Sequence, residues 1–98
     1  MWIRSQNKYI LANVNSFRIC KSDLDGCVYY SIHGHYDRYE QSLGYYSTEE
    51  KALKVLEEIQ DAIEDTYYYN IENIGCGSYA LKKGCEIYEM PADDNVEV

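Results

Sequence analysis

The chain has little that marks chemistry. None of its apolar runs approaches the roughly 20 residues of a membrane-spanning helix. The start, MWIRSQNKYI, lacks the charged region and long apolar stretch of a signal peptide. A soluble, cytoplasmic protein with no membrane association is therefore expected. There is no phosphate-binding loop, no recognised catalytic motif, no internal repeat and no low-complexity linker. The four cysteines, Cys20, Cys27, Cys76 and Cys85, are not at the C-x(2–4)-C spacing that zinc favours. In a cytosolic chain the default is free thiols, with a Cys20–Cys27 disulfide across a hairpin as the alternative. No metal and no cofactor are expected.

Basic residues are scarce in one half. Residues 1–46 hold five Lys or Arg against four Asp or Glu, a net of +1, whereas residues 47–98 hold four against thirteen, a net of −9. The acidic half argues against direct binding of a DNA or RNA polymer, which needs basic groups facing phosphates. It suits solubility, a basic protein partner, or imitation of a nucleic acid's charge. Tyrosine is the one residue in excess, with 12 in 98. It fits half-buried strands, and it fits binding surfaces because a large ring carries a polar tip.

The strongest local signal is STEEKALKVLEEIQDAIED, Ser47 to Asp65, an amphipathic helix. Ser47 and Glu50 form an S-x-x-E capping box, and Glu49 and Glu50 suit the positive end of the helix dipole. Ala52, Leu53, Leu56, Ile59, Ala62 and Ile63 recur at three and four, the period of one buried stripe. Lys54, Glu57, Glu58, Asp61 and Glu64 fall on the other face.

Strands precede the helix. Trp2–Ser5, Tyr9–Val14, Phe17–Lys21, Cys27–His33 and Gln41–Tyr46 have strand composition, and Asp25-Gly26 supplies positive-φ turn chemistry between two of them. Phe17 and Ile19 share a core face. Val28, Tyr30 and Ile32 alternate with Tyr29, Ser31 and His33. Gly34 to Tyr39 has the composition of a turn. Beyond the helix, residues 66–84 read either as its continuation to Tyr69 or further, or as an ordered loop. Cys85–Met90 reads as a closing strand stopped by Pro91. The expected fold class is α+β: an antiparallel β-meander of about four to five strands packed on one amphipathic α-helix, with a C-terminal strand returning to the sheet. Residues 1–91 form a single domain, and 92–98 form a loose acidic C-terminal tail.

Candidate chemistry gathers around His33, His35, Tyr36, Asp37 and Arg38. His33 and His35 sit at i,i+2, so both point to one face of a strand. That suits a metal, but the sequence shows no third ligand. It suits acid–base work, but nothing fixes a carboxylate partner. Anion and base recognition makes fuller use of the composition: arginine forks match phosphate oxygens, and tyrosine or histidine rings stack on bases. The expected ligand-binding residues are Arg4, Arg18, His33, His35, Tyr36, Arg38, Tyr67 and Tyr69, around a small nucleotide. The run Tyr67-Tyr68-Tyr69 with Tyr79 suits an aromatic lid, core packing, or a homodimer or higher-oligomer surface.

MWIRSQ at the start, LG-x-YST-x-E-KAL-x-VL-x-x-IQ in the middle and MP-x-DD-x-x-EV at the end resemble short uncharacterised proteins of Gram-positive bacteria and their phages. The resemblance covers both ends and the helix, and omits Tyr67 to Gly84. It carries no catalytic residues. It implies a small accessory protein of a mobile element, acting in the host cytoplasm by binding rather than catalysis, with counter-defence as its setting. The expected function is thus sequestration of a small, cyclic or linear, nucleotide signal. The alternatives are an acidic inhibitor that mimics nucleic acid on a basic defence nuclease, and a small nucleotide-processing enzyme using His33 or His35.

Overall fold

The computed structural model describes the backbone of residues 1–72 and 87–98 and the side chains of 1–64 and 87–98. Strands β1 (Trp2–Arg4), β2 (Leu11–Asn13), β3 (Ser16–Leu24), β4 (Cys27–Tyr36) and β5 (Tyr39–Tyr46) lead into helix α1 (Glu49–Glu72). Strand β6 (Tyr88–Glu89) and a single 3-10 turn, Asp93–Asn95, follow. The α+β class holds, but the strands do not form one meander. Two three-stranded sheets are present among the described residues, in the orders β2-β1-β6 and β3-β4-β5.

The β3–β4 hairpin turns on two positive-φ residues, Asp25 at 53° and Gly26 at 84°. That backbone twist matches the twist of the flanking strands. It lets β3 run on to Leu24, which pairs with Cys27. The polar stretch after His33 is strand rather than turn. Gly34, His35 and Tyr36 complete β4, and only Asp37-Arg38 turn, with Asp37 at φ 52°. Gly34 is needed where it stands, because a Cβ there would lie 2.7 Å from a Val14 methyl and 2.9 Å from Leu43. Between β4 and β5 the register shifts beside Ile32 and His33: Ile32 faces Gly44 while His33 faces Ser42, so Leu43 is the extra residue of a bulge.

The inner face of β3-β4-β5 carries Phe17, Ile19, Tyr30, Ile32, Leu43 and Tyr46 and packs against α1. The helix buries Ala52, Val55 and Ile59, with Leu56 and Ala62 half-buried. Val55 replaces Leu53 and Ile63 in the expected stripe, since each of those is 45% exposed. Glu57, Glu58, Asp61 and Glu64 lie on the exposed face, as their polarity requires.

The helix start differs by one residue from the capping box expected at Ser47. The amide of Lys51 donates to Thr48 Oγ1 at 3.2 Å, so Thr48 is the cap. Ser47 is engaged elsewhere: its amide and hydroxyl donate to Asp93 Oδ1 at 2.8 and 3.1 Å. Lys51 Nζ donates to the Asp93 carbonyl at 2.9 Å. Val96 is buried in the core. The last residues are therefore anchored across the helix start, not a loose tail. The hydrogen bond from the Ser47 amide, with smaller help from its hydroxyl and from Lys51, holds the Asp93 carboxyl below the usual range despite partial loss of solvent.

The small sheet joins both ends of the chain. β1 pairs antiparallel with β2, and parallel with β6 on its other side. Ile3 in its centre is fully buried. Gln6 ties the two sheets together: its side-chain amide donates to the carbonyls of Tyr45 and Pro91 and accepts from the Tyr45 amide, at 2.9–3.1 Å. Among the described residues no helix is long and apolar enough to cross a membrane.

Candidate functional site on the outer face of the sheet

Strand alternation sends the other half of β3-β4-β5 outward. In register, Arg18 faces His33 and Cys20 faces Ser31 on one side of β4, while His35 faces Glu40 and His33 faces Ser42 on the other. Three strands thus bring a guanidinium, a thiol, two imidazoles and a carboxylate to one patch. Glu40 is its hub. Its Oε1 accepts from Arg18 Nε at 2.6 Å, and lies 3.2 Å from His33 Nδ1 and 3.7 Å from His35 Nε2. The second nitrogen of His33, Nε2, is 2.9 Å from Ser31 Oγ, and that hydroxyl donates to the Cys20 carbonyl at 3.5 Å. The Ser42 hydroxyl is buried without a hydrogen-bond partner.

The electrostatics follow from this wiring. The hydrogen bond from Arg18 is the main cause holding the Glu40 carboxyl below its usual range. Partial loss of solvent opposes it, and the charges of Arg18 and the two imidazoles add to it. The same hydrogen bond is the main cause raising the Arg18 guanidinium, with the charges of Cys20 and Glu40 contributing. The bond to Glu40 occupies one of the five N–H donors of Arg18, whose side chain is 56% exposed.

An aromatic pair lies further along the same face. Tyr29 and Tyr45 meet edge to face, with ring centroids 5.5 Å apart and an interplanar angle of 67°. Tyr29 is four residues before His33 on β4, about 13 Å along the strand.

Of the residues expected to bind a ligand, the structure brings together Arg18, His33 and His35. Arg4 is in the small sheet, where its Nε donates to the Lys8 carbonyl at 3.2 Å. Tyr36 faces the side of β4 opposite His35. It packs beside Tyr39, with ring centroids 6.0 Å apart, and lines an open cleft of about 460 Å³ with Trp2, Ile10 and Asn15. Arg38 is on the exposed β4–β5 turn. The backbone of Tyr67 and Tyr69 is within α1, and their side chains lie outside the described residues, as do Tyr79, Cys76 and Cys85. Cys20 and Cys27 are free thiols, because the register places Cys27 against Leu24 and Cys20 against Ser31.

Sequence reasoning missed Cys20, Ser31, Glu40 and the Tyr29–Tyr45 pair. The Asp25-Gly26 turn held the signal. A two-residue hairpin turn pairs Leu24 with Cys27, and counting back then sets Cys20 against Ser31 and Arg18 against His33.

Ser31, His33 and Glu40 are linked in the order of a serine–histidine–acid relay. A nucleophile needs room beside it for a substrate carbonyl, and Ser31 is only 2% exposed. The arrangement is better suited to holding His33 in one orientation than to attack. Comparison with known protein families, with characterised proteins and with solved structures finds no match.

Proposed function

We propose that this chain is a binding protein without catalytic turnover that sequesters a small nucleotide on the outer face of β3-β4-β5. One observation carries the reading: Arg18, His33 and His35 converge on the face that also carries the Tyr29–Tyr45 pair. Arginine and imidazole N–H groups suit a phosphate, and a tyrosine ring suits a base. The two lie on one strand face, a few residues apart. Glu40 occupies the cationic end until a phosphate competes for Arg18. A long polyanion fits less well, since the helix presents Glu57, Glu58, Asp61 and Glu64 to solvent.

The resemblance of both ends and the helix to short proteins of Gram-positive bacteria and their phages adds a setting. The ligand is then a cyclic or linear nucleotide signal of a defence system, bound in the host cytoplasm, with a homodimer or higher oligomer as the assembly. The exposed acidic helix face favours a second reading, an inhibitor that occupies the nucleic-acid site of a basic nuclease.

Thermal-shift measurements against a panel of cyclic and linear nucleotides test the first reading. A rise in melting temperature with at least one nucleotide, and its recovery unchanged after heat denaturation, is expected. No shift across the panel would overturn it. Salt-sensitive capture of a basic nuclease, lost when the four helix acids are neutralised, would favour the second reading.

A further inference from the structure

We infer that Cys20, His33 and Glu40 form a binding site for a divalent transition metal, with zinc the ion that best fits the donor set. One ligand atom from each residue lies within 4.8 Å of the other two. The three come from three adjacent strands, and the register of those strands, not a flexible loop, holds them together. Around a tetrahedral zinc ion, bond lengths of about 2.0–2.3 Å put ligand atoms about 3.3–3.8 Å apart. The 3.2 Å between His33 Nδ1 and Glu40 Oε1 is close to that value. The widest separation in the trio closes by about 1 Å of side-chain rotation within a rotamer well, most readily at Glu40, the exposed member of the three, with Cys20 and His33 half-buried.

The surroundings match what a metal-bound histidine needs. A ligating imidazole almost always gives its other N–H to an oxygen, which fixes the ring. With the metal on Nδ1 of His33, Nε2–H donates to Ser31 Oγ at 2.9 Å, and that hydroxyl in turn donates to the Cys20 carbonyl at 3.5 Å. One serine thus braces two of the three ligating residues. Arg18 Nε donates to the same Glu40 oxygen at 2.6 Å and offsets the charge of the carboxylate, which with the Cys20 thiolate makes two anionic ligands. A mixed sulfur, nitrogen and oxygen set disfavours magnesium and calcium, which take oxygen ligands, and suits zinc or cobalt. Three protein ligands leave a fourth position for water or an anion.

This site stands independently of the nucleotide reading, because it rests on the donor distances and on the hydrogen bonds around the donors. The test uses the full chain, stripped with chelator, held reduced without thiol, and titrated with Co²⁺ and then Zn²⁺. The expected result is one ion per chain, a thiolate-to-cobalt charge-transfer band with tetrahedral visible bands, and bleaching of both by zinc. Cys20→Ser removes the charge-transfer band, while Cys27→Ser, at the hairpin tip, keeps it. His33→Gln and Glu40→Gln each weaken binding at least about tenfold, and Ser31→Ala about 10–100-fold, the usual effect of losing such a brace. Circular dichroism confirms that each variant is folded, and Glu40→Gln, on the exposed edge, serves if Cys20→Ser is not. No charge-transfer band in the wild type overturns the proposal. So does a band that survives Cys20→Ser, or metal binding unaffected by Glu40→Gln. Nucleotide titrations of the stripped and the metal-loaded chain, done separately, distinguish failure of this site from failure of the nucleotide reading.

Discussion

The two faces of β3-β4-β5 are made by alternate residues of the same three strands, yet different forces specify them. On the inner face Ile32, Leu43 and Tyr46 are at most 1% exposed and packed beneath α1. Their contribution is transfer of apolar area from water, which is large and indifferent to the partner's identity. One residue along from Ile32, His33 points outward into a wired patch. Each contact there is small in free energy but specific in geometry, and Glu40 alone receives three partners. The inner face therefore sets whether the chain folds. The outer face is the one assigned to the proposed ligand.

Neighbouring substitutions break this comparison most sharply. Ile32→Ala should destabilise the fold by about 2–5 kcal/mol, read from urea or thermal unfolding, because it removes a fully buried side chain and leaves a cavity. His33→Ala, the next residue, should cost no more than about 1.5 kcal/mol, the scale of its hydrogen bond, while removing ligand or metal binding. Equal losses of stability at the two positions would mean that the faces are not separable.

A smaller effect tests the helix start. Thr48→Ala should lose about 1 kcal/mol as the true cap. Ser47→Ala should act instead through Asp93, so its effect should largely vanish in an Asp93→Asn background.

The smallest effect is its pH dependence. The Asp93 carboxyl is depressed in the folded chain, so its stabilising contribution is fully present above the ordinary aspartate value of about 3.9. It is lost as pH falls through the lower folded value. Asp93→Asn should be less stable than the wild type at neutral pH, and the gap should close at the acid end of a urea-midpoint series. A constant gap would place the effect in packing rather than charge.

Local signals identify the elements but not their ends. The Asp25-Gly26 turn, the alternation of Val28 to His33 and the three-four spacing of Ala52, Leu56 and Ile59 all express short-range sterics or periodicity, and the turn, strand and helix are present, with the strand running on past His33 to Tyr36 and the helix past Asp65 to Glu72. Pairing depends on contacts far apart in the chain, and there the reading fell short. Tyr88 beside Ile3 in a parallel pair spans most of the sequence and leaves no periodic trace. The polarity of Gly34-His35-Tyr36 suggested a turn because an outward strand face and a loop share composition. Thr48 displaced Ser47 as cap because Asp93 competes for the serine. The candidate site was half visible: His33 and His35 share a strand face by spacing alone, whereas Cys20 and Glu40 join them only once the register is known.

The most direct measurement is calorimetric titration of cyclic and linear nucleotides into the wild-type chain and into Arg18→Ala. A nucleotide that binds the wild type, and binds Arg18→Ala at least about tenfold more weakly with the melting temperature unchanged, is the predicted result, since a charge-assisted contact of about 1.5–3 kcal/mol is removed from an exposed face. Binding that is equally tight in both chains, or no binding in either, would contradict the assignment of ligand recognition to the outer face of the sheet.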